Sequence, residues 1–123
     1  MRFARVVFTI AGVYGVLAVL PQFFLEPYLG TRYPPPINHP EYFYGFLGVA
    51  LAWQIAFLVI GRDPQRLRPL MIPAVVEKIA GLATFSGLAL LHRTPPEAGV
   101  AGLVDGVFAV LFALAFARTG RDR

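Results

Sequence analysis

The chain contains no cysteine, which excludes disulfide exchange, thiolate nucleophiles, iron–sulfur clusters and cysteine-ligated zinc. Charge is scarce as well: Asp, Glu, Lys and Arg make up 15% of the 123 residues, against 57% hydrophobic. With a mean hydropathy of +0.63, that balance leaves more apolar surface than one soluble core of this size can hide. The two histidines, His39 and His92, share no ligand spacing with a carboxylate or with each other, so each reads as a loop or interface residue. No Walker loop, serine elbow, dinucleotide fingerprint or His-Glu-x-x-His motif interrupts the chain. Alternating polarity is missing too, which argues against a transmembrane barrel.

What the chain does have is four apolar stretches, at about residues 3–20, 42–60, 70–91 and 100–116. Each has the length a helix needs, at about 1.5 Å per residue, to cross a hydrocarbon layer about 30 Å thick. The expected fold is an all-α integral membrane bundle of four transmembrane helices, forming a single domain over residues 1–123. Arg2 and Arg5 ahead of the first stretch resemble a secretory leader. Pro21, Phe23 and Phe24 just beyond it favour an uncleaved helix instead.

Basic residues set the expected orientation. Arg2, Arg5, Arg62, Arg66, Arg68, Arg118, Arg121 and Arg123 fall on one side of such a bundle, and Arg32 and Arg93 on the other. Eight against two places both termini in the cytoplasm. A pI near 10.0 reflects arginines at helix ends that meet anionic lipid headgroups, not a nucleic-acid surface. In the first outward loop, the Pro34–Pro36 run predicts an extended segment, with Asn38 or His39 capping the second helix. Tyr33, Tyr42, Phe43 and Tyr44 read as an aromatic belt. In the third loop, Thr94 and Glu97 have capping-box spacing.

In lipid, close approach through small residues supplies much of the helix association. Small stripes run along every segment: Ala4, Ala11, Gly15 and Ala18; Gly45, Gly48, Ala52 and Ala56; Ala80, Gly81, Thr84 and Gly87; Gly102, Gly106, Ala109 and Ala113. They predict which faces meet.

Against this background Glu77, Lys78 and Asp105 stand out. Neighbours on a helix point about 100° apart, so Glu77 and Lys78 do not pair as residues four apart do. Lys78, with its long stem, is expected to snorkel to the headgroups. Glu77 shares the small stripe of its helix and is expected to face the bundle, near the depth of Thr9, Gln54 and Trp53. Asp105 is expected near the opposite end, level with Thr84, Ser86 and Tyr44. Both acids admit two readings, a functional group or an interhelical hydrogen bond.

The layout of four short helices, the FYGFLG opening of the second (Phe43 to Gly48) and a charged spot early in the third resembles the DoxX-like group of small bacterial membrane proteins. That resemblance implies an accessory role in a bacterial inner membrane, beside redox enzymes. The absence of cysteine speaks against a thiol-linked form of it. The sequence names no cofactor. The leading expectation is a non-catalytic accessory or binding subunit, with Glu77, Gln54, Trp53 and Asp105 lining a polar site for a lipophilic ligand. Its partners would be membrane lipids and either a membrane protein or further copies of this chain. The alternative is an oligomeric proton-linked transporter or channel relaying through Glu77 and Asp105.

Overall fold

Proline and glycine punctuate the apolar runs and set where each rod begins and ends. The structure, a computed structural model, describes residues 2–121. Helix α1 (Arg2–Val19) tightens into a 3-10 segment (Leu20–Phe24) at Pro21, and a short α2 (Glu26–Arg32) follows. Helix α3 (Pro40–Arg62) starts with proline in its first turn and Glu41 near its positive end, a favourable opening for any helix. A 3-10 turn (Arg68–Leu70) leads into α4 (Met71–Gly81), a π turn (Leu82–Ser86) and α5 (Gly87–Leu90), which together make one rod. Helix α6 (Pro96–Arg121) closes the chain. Among the described residues there is no strand, and four rods, Arg2–Phe24, Pro40–Arg62, Arg68–Leu90 and Pro96–Gly120, are long and apolar enough to cross a membrane.

The rods associate as two pairs. α1 packs most extensively on α3, and α4 with its π turn packs on α6; contacts between α1 and α6 join the pairs, while α3 and α4 barely touch. The joint lies at the end that carries the termini. There Phe8 and Phe112 stack at 4.2 Å between ring centroids, and Phe57 meets Phe112 edge-on at 5.0 Å. All three rings are fully buried, together with Ala4, Ala11, Ile60, Met71, Ala74 and Ala115. Arginines lock the same end: Arg5 Nη1 donates to the Arg62 carbonyl at 2.9 Å, Arg68 Nε donates to the Phe116 carbonyl at 2.9 Å, and the Arg118 guanidinium lies over the Phe3 ring. Residues expected to serve lipid phosphates thus tie helix ends together. Arg123 and the side chain of Arg121, which entered the orientation count, lie outside the described residues.

Several local expectations change. The segment before Pro34 is not all loop, because Glu26–Arg32 forms α2 and Tyr44 Oη donates to Glu26 Oε1 at 2.9 Å. Tyr44 is therefore engaged with α2 and not with Asp105. His39 takes the cap position of α3 without a side-chain cap bond. No capping box forms, since α6 begins at Pro96 and leaves Thr94 outside it, with its buried Oγ1 lacking a partner. His92 ends α5 with a left-handed φ of 57°. The bonds from Arg93 N to the Leu88 carbonyl and from His92 N to the Ala89 carbonyl complete a Schellman turn. Among the small stripes, Ala4, Ala11 and Gly15 are buried as expected, and Gly102 and Gly106 meet Ser86 and Leu82. Gly45 and Gly48, by contrast, face open space.

Candidate functional site

The tight joint at one end has a counterpart at the other. Toward the end that carries α2 and the loop before α6, the two helix pairs diverge around a cavity of about 770 Å³. Its walls are mainly apolar and rich in aromatic rings, including Tyr14, Phe46, Trp53 and Phe85, while Tyr33, Thr94 and Glu97 stand at its loop end. Its polar groups include Gln22, Gln54 from α3, Glu77 and Lys78 from α4, Thr84 from the π turn and Asp105 from α6.

Lys78 organises this group. It does not snorkel: only 4% of the residue is exposed, and it continues the buried face of Met71 and Ala74. Those positions are one and two turns back along the helix, so the packing face of α4 runs through Lys78 and not through the expected stripe. Ala80 and Thr84 of that stripe are exposed and line the cavity. The Lys78 ammonium donates to Asp105 Oδ1 at 3.4 Å and lies 3.6 Å from Glu77 Oε2. Its charge also lies 5.1 Å from the centroid of Phe57 and 5.5 Å from that of Phe108, within cation–π range. A lysine this deep needs such company, because an unpaired charge in a dry interior is costly.

Both acids therefore meet at one lysine and not at two depths. The physical reason is the helix ends. α6 starts at Pro96 and the third rod at Arg68, so Asp105 and Glu77 each lie nine residues in (105 − 96 and 77 − 68), about 13 Å by helix rise. Entering from opposite ends, they meet near mid-rod. Gly81 permits the approach, since a Cβ at that position would collide with Asp105 Oδ2.

Gln54 lies across the cavity. Only 3% of it is exposed, its Nε2 donates to the Ala50 carbonyl one turn back at 2.8 Å, and its Oε1 has no partner. Gly15 of α1 makes room for this amide, because a Cβ there would collide with Oε1. Glu77 Oε2 likewise has no hydrogen-bond partner within bonding distance. Glu77, Gln54, Trp53 and Asp105 thus line one cavity, as a single site requires, although Gln54 bonds its own helix and not Glu77. Trp53 packs its ring against Phe57. Thr9 lies instead against Gly61, away from the cavity.

The π turn is the element that sequence reasoning missed. An extra residue per turn shifts the rod's register, and it sets Ser86 against α6, where Oγ donates to the Gly99 carbonyl at 2.9 Å. Gly102 accommodates that serine. Among the described residues no cluster of His, Asp and Glu is arranged to hold a metal ion. No protein-family model, curated protein or solved structure matches the chain.

Proposed function

We propose that the chain is a non-catalytic binding protein of the membrane, whose cavity holds the body of a lipophilic molecule among aromatic walls and its polar group at Lys78, Glu77 and Asp105. One observation carries this reading: a cavity of about 770 Å³ in which apolar walls surround a few convergent polar groups. That is the general build of a small-molecule site. The lining belongs to all four rods, so occupancy also joins the two helix pairs at the end where they otherwise diverge.

In this reading the four rods span the bilayer with both termini in the cytoplasm, as the eight-to-two split of basic residues favours. The cavity then faces the outer leaflet, and the phenylalanine joint lies in the inner one. The accessory part of the role, docking beside a larger membrane complex, rests on the DoxX-like layout of the helices. A relay through this chain alone is disfavoured, because Phe8, Phe57 and Phe112 fill the space between the cavity and the terminal end. Glu77 and Asp105 also share a partner in place of forming separate stations.

Native mass spectrometry of the protein released from its own membrane tests the proposal. The expected result is a small-molecule adduct on the wild-type chain that is lost in Ala101→Phe, which fills the cavity from α6 without altering any charge. Equal retention by both proteins, or a bare wild-type chain, overturns it.

A further inference from the structure

The whole chain carries a net charge of +4, yet the cavity is lined by three acids, Glu77, Glu97 and Asp105, and by one base, Lys78. At its floor, one ammonium faces two carboxyl groups, so that with both ionised one negative charge is in excess. Exposure sharpens the imbalance. The Lys78 side chain is 5% exposed, against 23% for Glu77 and 18% for Asp105, so the charge a ligand meets is carboxylate and not ammonium.

Hydrogen-bonding capacity points the same way. The Lys78 and Gln54 donors are already directed inward: Lys78 to Asp105 and Glu77, and Gln54 Nε2 to the Ala50 carbonyl. Of the buried atoms on the lining that lack partners, Gln54 Oε1 and Glu77 Oε2 at the floor are acceptors, and Thr94 Oγ1 at the loop end is a hydroxyl. Gln54 is almost wholly buried on the wall of the same cavity, and a buried amide oxygen without a donor is a standing cost that a suitable ligand relieves. Aromatic rings, Tyr14, Trp53, Phe46 and Phe85, line the walls, and the face of such a ring attracts a cation. A group bringing both positive charge and several N–H donors satisfies every one of these features. An anionic headgroup satisfies none, because it would be set against carboxylates in a poorly screened interior.

Building on the binding role proposed above, we infer that the cavity is selective for lipophilic amines in their ammonium form, seated against the carboxylates of Glu77 and Asp105 with the alkyl or aryl body along the aromatic walls. Removing one carboxylate leaves a neutral lysine–carboxylate pair, so the preference for a cation falls while the space for its body remains.

Trp53 is the sole tryptophan of the chain and lines the cavity, which supplies the readout. Wild-type protein in lipid nanodiscs is titrated with terminally brominated dodecylamine, dodecanol and dodecanoate, and quenching of Trp53 is followed. Partition into the surrounding lipid gives unsaturable quenching, and the same titrations of Ala101→Phe define that background. The expected result is saturable quenching by the amine at a midpoint about tenfold below that of the alcohol, with only background quenching by the carboxylate. Glu77→Gln and Asp105→Asn should each raise the amine midpoint about tenfold, several-fold more than they shift that of the alcohol. Equal midpoints for amine and alcohol in the wild type overturn the selectivity while leaving the cavity role intact, as does an amine midpoint unmoved in both variants. Quenching indistinguishable from Ala101→Phe for all three probes overturns the cavity role itself.

Discussion

The two ends of this bundle use the same helices for opposite purposes. At the terminal end, Phe8, Phe57 and Phe112 interlock, and arginines donate to carbonyls of neighbouring helix ends. At the loop end, the same four rods stand apart around charged and unpartnered polar groups. Rings and small residues close one half, although the buried Thr119 Oγ1 there lacks a partner. The other half keeps acceptors and a three-membered charge cluster that a close-packed core would have no reason to hold. On the binding role proposed above, the contrast places stability in one half and binding in the other.

The largest effect should come from the cluster that links them. Lys78→Met leaves two carboxylates facing each other without their cation, and breaking a buried ionic group by removing one partner costs about 3 to 5 kcal/mol. Thermal unfolding in mild detergent should show a large fall in midpoint, largely recovered when Glu77→Gln and Asp105→Asn are added. Persistence of the defect in the triple variant would mean that Lys78 matters for packing and not for charge. Next comes the joint: Phe112→Ala opens a void among Phe8, Phe57 and Phe108, and since lipid weakens the transfer term, about 2 kcal/mol from lost packing is expected. Ligand binding at the loop end should survive it. A binding loss as large as the stability loss would erase the proposed division of labour.

Smaller effects probe the contacts at the cavity wall. Gly81→Ala pushes the Asp105 carboxylate away from Lys78, and because a flexible side chain can yield, stability should fall by about 1 kcal/mol or less while amine binding weakens several-fold. Equal binding by this variant would detach Asp105 from the site. Smallest of all, His92→Gly should raise stability by about 0.5 to 1 kcal/mol, since glycine takes the left-handed position of the Schellman turn without a Cβ. Its effect on binding should be nil.

How far these features were legible from the residues follows from their physics. Four apolar stretches of spanning length predict four helices, and proline and arginine at their ends mark the limits to within a few residues. Glu77, Gln54, Trp53 and Asp105 stand out as polar or amphipathic groups in apolar surroundings, and they line one cavity. The rotation of α4 was not legible. Small residues at Ala80 and Thr84 suggested a packing face, but Met71, Ala74 and Lys78 are the buried ones, because a cavity and not a helix lies beside the small stripe. The burial of Lys78 is hidden for a related reason: snorkelling assumes that the nearest relief is water, whereas here Asp105 of α6 lies within 3.4 Å. Asp105 in turn lies deeper than the apolar stretch at 100–116 implies, because the start of α6 at Pro96 lengthens the helix ahead of it. The π turn between Gly81 and Gly87 has no residue pattern that separates it from ordinary helix.

The charged floor of the cavity depends on Lys78 and Asp105 forming a working pair across α4 and α6. A double-mutant cycle with Lys78→Met and Asp105→Asn measures this directly, read as unfolding free energy in one detergent. A coupling of about 1 to 3 kcal/mol is predicted. Single-variant effects that add to within about 0.5 kcal/mol would show that the two side chains do not meet, and the charged floor of the cavity would go with them.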